Sequence, residues 1–269
     1  RSQNGQSFDG IGVSVQSGQL KAELVYLSQV LRSAGNRAFK GRQDLTAPVV
    51  GLVWTPPGPL TLEFSAHRLR YVPGGPIATA TSTQAVVAGL KLKGSCRALQ
   101  LSARADVARQ RPLYADASEV GGDYYALETG VRYRNTELKL AEEVLEGDGV
   151  ASFQTPLASL HAFNGFADRF LRTPMDGLRD STVTLSQQYG RYKLLVRAHR
   201  FESTVRDYRY GDEVDLVASV DLPGHHKLLI KWADFHAAQN SLVSVRATTQ
   251  SLDVNKLWLQ WEWKWDRAS

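Results

Sequence analysis

Apolar and polar side chains alternate with a period of two along most of the 269 residues. The pattern is fullest at the end of the chain. In 256–266, Leu257, Leu259, Trp261, Trp263 and Trp265 share one parity, while Lys256, Gln260, Glu262, Lys264 and Asp266 share the other. Successive side chains of a strand point to opposite faces, so this segment has one aromatic face and one charged face. The same alternation sets Ile11, Val13 and Val15 against Gly12, Ser14 and Gln16. It sets Leu99, Leu101, Ala103, Ala105 and Val107 against Gln100, Ser102, Arg104 and Asp106. About thirteen such segments follow one another, and no helical periodicity of useful length lies outside the connections.

The connections carry a second regularity. Odd-numbered segments lead into tight turns: Ser17-Gly18-Gln19, Pro57-Gly58-Pro59, Lys93-Gly94-Ser95, Arg134-Asn135-Thr136, Tyr189-Gly190-Arg191 and Pro223-Gly224-His225. These are turn formers by mechanism, glycine for positive φ and asparagine for its local hydrogen bonds. Even-numbered segments lead into longer loops near 29–46, 68–82, 109–121, 146–177, 203–211 and 237–250. A soluble sandwich has no reason to keep every long connection at one end, and charges facing its core would cost several kcal/mol each. A water-filled barrel in lipid has both features. The fold class expected is therefore all-β, an antiparallel transmembrane β-barrel with short periplasmic turns and long extracellular loops. Residues 1–269 form one barrel domain in this scheme. Its last strand descends to the periplasm, and so does its first. A closed antiparallel barrel with both ends periplasmic has an even number of strands. Thirteen is odd, and RSQNGQS at the start resembles the tail of an extracellular loop. The expectation is that N-terminal strands of a larger barrel are missing, unless the strand count is off by one.

Composition narrows the picture. No stretch approaches the roughly 18 apolar residues of a membrane helix; the longest apolar run, Val49–Trp54, is broken by Gly51. Only helices and closed barrels satisfy the backbone in lipid, so a membrane-spanning form must use strands. Cys96 is the one cysteine, which excludes an internal disulfide. The net charge of +5 and pI near 9.3 favour anionic partners in general. No run of Lys and Arg marks a nucleic-acid arm, so no nucleic-acid partner is expected.

Parity then assigns the charged side chains. Arg104, Arg132, Arg134, Lys139, Lys193, Arg197 and Lys231 fall on the face expected to line the lumen, with Trp258 among them. Acids share that face, including Glu63, Asp106, Glu128, Glu137, Glu143, Glu213 and Asp215. Two roles are open. The bases can form a ladder that guides an anion by many weak contacts, or they can pair with acids on neighbouring strands and keep the pore wet. Trp54, Tyr133, Trp232, Trp261, Trp263 and Trp265 face outward and suit anchoring at the lipid interface. Trp258 faces inward, to stack on a sugar ring or to pack against a loop. No nucleophile motif, phosphate loop or paired cysteines occur, and His225-His226 lack partners at zinc spacing. No catalytic residue, metal site or cofactor is expected, and the chain is not read as an enzyme.

The loop 146–177 is the longest connection and the least polar. Phe153, Leu157, Leu160, Phe163, Phe166, Phe170 and Leu171 need burial, so it should fold into the barrel mouth. Pro156–Leu171 can start a helix, with Thr155 before Pro156 at its first position. Here the sequence resembles the alginate export family of outer-membrane proteins. The resemblance rests on Phe153-Gln154-Thr155-Pro156-Leu157-Ala158 and Leu160-His161-Ala162-Phe163-Asn164-Gly165-Phe166-Ala167-Asp168, followed by Phe170-Leu171, Thr173-Pro174 and Gly177-Leu178. Family members often carry Trp where this chain has Phe166. The resemblance implies a single barrel whose basic lumen passes an anionic polyuronate, with constricting loops. It would make Phe153, Gln154, Thr155, Pro156, His161, Phe163, Asn164 and Asp168 part of a gate. The alternatives are a general porin for small solutes and a structural barrel subunit of an envelope complex. Expected partners are outer-membrane lipid and lipopolysaccharide, an anionic polysaccharide or small solutes, and a homo-oligomer or envelope complex.

Overall fold

Every one of the thirteen alternating segments becomes a strand. In the computed structural model, residues 6–31, 41–72, 81–114, 119–157, 164–239 and 252–264 are described. The strands are β1 (Ser7–Ser17), β2 (Leu20–Leu31), β3 (Arg42–Trp54), β4 (Leu60–Tyr71), β5 (Thr83–Cys96), β6 (Leu99–Pro112) and β7 (Gly122–Tyr133), then β8 (Thr136–Leu145), β9 (Leu178–Tyr189), β10 (Tyr192–Glu202), β11 (Arg209–Leu222), β12 (His226–Ala237) and β13 (Val254–Trp263). They form one 13-stranded antiparallel sheet in strict chain order. Each strand reaches past its alternating segment at the loop end, because ladder pairing continues where apolar alternation stops. The tight turns stand where glycine permits the left-handed backbone, at Gly18 and Gly190 with φ of +55°. One turn differs from expectation: β5 runs through Gly94 to Cys96, and the reversal falls on Arg97 and Ala98, with Arg97 at φ +54°.

The two faces separate as the parity requires. On β13 the outward Leu257, Leu259 and Trp261 are 69%, 77% and 64% exposed, while every inward neighbour is partly covered. Trp54, Tyr133, Tyr189, Tyr192, Trp261 and Trp263 all face outward near the tight-turn end, an aromatic belt of the kind found at a membrane interface. Trp265 lies outside the described residues.

The ladders join each strand only to its chain neighbours, so β1 and β13 each keep one open edge. Because the strand number is odd, these two strands run in the same direction and have no antiparallel way to pair with each other.

Two clusters fill the inward side at the long-loop end. One groups Val30, Leu45, Ala47, Leu69 and Tyr71 on β2–β4. The other groups Leu178, Phe201, Tyr208, Tyr210, Ala233 and Phe235 around Phe170. The helix expected over Pro156–Leu171 does not form in its described part. Pro156 and Leu157 make a turn, residues 158–163 lie outside the described set, and 164–177 is a chain of turns and bends. Left-handed φ values at Asn164 (+54°), Gly165 (+86°) and Asp168 (+58°) are incompatible with a helix. The amides that a helix would use internally are bonded to the barrel wall instead.

Candidate functional site

The 146–177 loop is fastened to the inner wall at three places. At its start, Phe153 stacks on Tyr124 of β7 with ring centroids 5.2 Å apart. The neighbouring Gln154 exchanges a pair of hydrogen bonds with Gln110 of β6: its N–H donates to Oε1, and its carbonyl accepts from Nε2, both at 2.8 Å. Its own side-chain Nε2 donates to Ser152 Oγ and Thr173 O, closing the loop base. A few residues on, Leu157 packs against the β2–β4 cluster. Beyond the undescribed stretch, Phe170 inserts among Phe201, Tyr210 and Phe235, with centroids 4.5, 5.5 and 6.2 Å away. A single loop thus touches β6–β7, β2–β4 and β10–β12.

Between these anchors the loop backbone docks on carboxylates. The Phe166 N–H donates to Asp215 Oδ2 at 3.2 Å, and the Ala167 N–H to Glu213 Oε1 at 2.7 Å. Asn164 Nδ2 donates to Glu143 Oε2 at 2.8 Å. Gly165 sits so close to Glu213 that a Cβ would meet its carboxyl carbon at 2.6 Å. Glu213 and Asp215 are i and i+2 on β11, so they share the inward face. Burying such a set of acids requires polar partners. His199 stands between two of them: Nδ1 lies 2.9 Å from Asp180 Oδ1 and Nε2 lies 3.4 Å from Asp215 Oδ2, with its side chain 2% exposed. On the neighbouring strands, level with Asp215 or one row nearer the tight turns, Lys256 Nζ reaches Asp168 Oδ2 at 2.8 Å, and Lys231 Nζ lies 5.0 Å from the Phe166 ring centroid.

The lumen bases are mostly paired. Lys91 bonds Glu63 at 2.5 Å, Arg104 bonds Asp106 at 2.5 Å, Arg132 bonds Glu137 at 3.0 Å and Lys139 bonds Glu128 at 2.8 Å. Together with Lys93 they border a polar cavity of about 690 Å³ on the β5–β8 wall, towards the tight turns. Arg197 Nε donates to Thr184 Oγ1 at 2.9 Å, and Lys193 lies 3.9 Å from Asp221. Register places Glu143 opposite Asp180, Lys139 and Arg197 on either side of Thr184 two inward rows lower, and Arg132 opposite Glu137 one row lower again.

One lumen assignment is corrected. Arg134 is a turn residue at φ +52°, and its guanidinium lies 5.1 Å from the ring centroid of the outward Tyr133. The β7–β8 reversal takes it out of the strand, so its parity no longer applies. Trp258 faces inward and packs against the Phe170 cluster, with Lys256 Nζ 5.8 Å from its ring centroid. Among the residues expected in the loop, Phe153, Gln154, Asn164 and Asp168 meet the wall, Thr155 is exposed and Pro156 is half-buried. His161 and Phe163 lie outside the described residues. Sequence reasoning missed Gln110 and Asp180. The available signal was the pair of inward carboxylates on β11 facing a glycine-containing apolar loop.

Neither a protein-family model nor a curated protein matches the sequence. Solved structures do match in fold. The Acinetobacter baumannii channel OccAB4 superposes with a TM-score of 0.67 at 12% identity, over 87% of this chain and 62% of that one. Pseudomonas aeruginosa OpdK, solved with vanillate, gives 0.68 at 15% identity over 96% and 70%, and P. aeruginosa OccK9 gives 0.66 at 13% over 94% and 66%. The chain therefore spans about two thirds of the length of these barrels. They are outer-membrane solute channels, not alginate exporters, so the likeness supports the barrel that the alginate resemblance implied and not its substrate. The fold is that of an outer-membrane β-barrel wall.

Proposed function

We propose that the chain builds the wall and mouth constriction of an outer-membrane channel that admits small solutes. The observation that carries this reading is the loop tied to clusters on separated parts of the inner wall, by Leu157 at β2–β4 and by Phe170 at β10–β12. A loop held in this way narrows the mouth, while the charged cavity on β5–β8, nearer the tight turns, keeps the wall below it polar. A small solute suits the constriction better than a long anionic polysaccharide, because most of the lumen bases are matched with acids instead of being free to track a polyanion. Vanillate, found with OpdK, is a solute of the size intended. The open edges of β1 and β13 belong to the same proposal: further strands, an odd number of them, close the wall into a continuous antiparallel barrel.

Planar-bilayer recording tests the channel. Reproducible unitary steps are expected, with no block by mannuronate oligomers; an absence of steps refutes the channel, and block by those oligomers restores the polysaccharide reading. Shortening 155–170 to a glycine-rich link should raise the unitary conductance, and an unchanged value rules out the loop as the constriction.

A further inference from the structure

A second charged feature lies on the opposite side of the wall, facing lipid. At the long-loop end of β4–β6, Arg68, Arg70, Arg109 and Arg111 all have outward parity and are exposed. Register sets Arg68 and Arg111 on either side of Gln84, so they stand about two strand spacings, roughly 10 Å, apart. Arg109 is held by Asp123 of β7 through a bidentate pair at 2.5 and 2.6 Å. Arg68 and Arg70 form no salt bridge among the described residues, and Arg111 meets the charge of Asp123 only at longer range, since Arg109 holds that carboxylate. Elsewhere on the same outer rim, bases do pair: Arg179 with Glu142 at 3.9 Å and Arg200 with Asp212 at 3.6 Å. Among the described strand residues of this rim, the arginines without a salt bridge therefore lie in one sector.

Directly below them the sheet opens. Pro48 has no N–H to give the ladder. The β3–β4 pairing runs to Val49–His67, skips Ala47 and Pro48, and resumes at Thr46–Arg70. A groove of about 610 Å³ results, floored by Pro48, Val50, Ala66 and Val86 and topped by Arg68 and Arg111. Its apolar floor continues into the lipid-facing band, where Val50 and Val86 are 42% and 49% exposed.

We infer that this groove is a binding site for lipid A of the outer leaflet, with a glucosamine phosphate held by Arg68 and Arg111 and an acyl chain lying over Pro48, Val50 and Val86. Guanidinium forks match phosphate oxygens, and such charge-assisted bonds are about twice as strong as neutral ones. Charge complementarity selects the occupant. An acyl chain alone would not place several arginines without a salt bridge at the rim, and a free anion would not use the apolar floor. The inference rests on the outer-membrane placement proposed above, with the long loops facing outward.

The test uses the protein extracted from outer membranes in mild detergent, with bound lipid counted by native mass spectrometry. Bisphosphorylated lipid A, dephosphorylated lipid A and phosphatidylglycerol are then titrated back. Wild-type protein should retain bisphosphorylated lipid A, and the double variant Arg68→Gln/Arg111→Gln should bind it at least tenfold more weakly. The control Arg179→Gln/Arg200→Gln, which removes bases paired with acids, should bind it as wild type does. Equal binding by the first double variant overturns the inference, as does equal wild-type affinity for dephosphorylated lipid A or phosphatidylglycerol. Conductance recorded on the same preparations separates the two claims. A wild type that conducts but shows no arginine-dependent lipid retention defeats the lipid site alone, and one that retains the lipid but does not conduct defeats the channel alone.

Discussion

His199 holds together carboxylates that would otherwise repel one another. It bridges Asp180 and Asp215 from a fully enclosed position, and the loop's backbone amides dock on Asp215 and on Glu213 beside it. Replacing His199 with Leu leaves these buried acids without the imidazole that stands between them. Unpartnering a buried charge costs about 3–5 kcal/mol. The expected result is a drop of that order in urea-unfolding stability in micelles, together with noisy, larger conductance steps as the loop loosens; a silent variant removes His199 from the latch. At Gly165 the constraint is steric. The backbone is left-handed and the Glu213 carboxylate fills the space of a side chain, so Gly165→Ala should expose the Phe166 and Ala167 amides to hydrogen exchange without unfolding the strands. Asp148, in the loop base outside the spanning strands, accepts from the N–H groups of Val150 and Ala151 at 2.8 and 2.7 Å, which hold its carboxyl below the ordinary 3.8. A depressed folded value means the turn gains support above the unfolded value and loses it as pH falls through the lower folded one. The Val150 and Ala151 amide resonances should therefore stay put at pH 5 and shift only below about pH 4; movement near neutrality would contradict this.

Strands were the most legible part of the sequence because their signal is local. Leu138 and Leu140 against Glu137 and Lys139 fix which face of β8 meets lipid, and the register agrees along its whole length. This inside–outside assignment predicts unequal costs for adjacent substitutions. Leu140 is outward and 51% exposed, so Leu140→Arg should cost about 2–4 kcal/mol if it lies near the membrane midplane. Lys139→Gln, which breaks only the half-exposed pair with Glu128, should cost under about 1 kcal/mol. Equal costs in vesicle-based unfolding would mean the faces are reversed. Connections were less legible. Apolar spacing alone favoured a helix after Pro156, because it could not reveal that Glu213 and Asp215, some fifty positions later, compete for the amides of Phe166 and Ala167. Arg134 was misplaced for a similar reason, since parity is blind to where a strand ends.

Among the described residues the strands form an unclosed wall with its charges unevenly distributed. A cysteine pair tests the closure: with Cys96→Ser as background, Val13→Cys and Leu259→Cys on the edge strands should form no intramolecular disulfide, because β1 and β13 share no ladder. Rapid quantitative cross-linking would show that they meet directly. The inward rows also have a direction. Glu143 and Asp180 lie opposite each other close beneath the loop, whereas Lys139 and Arg197 lie two rows nearer the tight turns, and Arg132 and Lys231 lie lower still. Along the axis of the proposed pore, acids therefore outnumber bases close beneath the loop, and bases outnumber acids two rows nearer the tight turns, where Lys93, Lys139 and Arg197 share a row with Asp215. Ions crossing it meet a different sequence of wells in each direction. The channel should act as a weak diode: current–voltage curves should be asymmetric at about 0.1 M salt, where the screening length is near 10 Å, and should straighten at about 1 M, where it falls to about 3 Å.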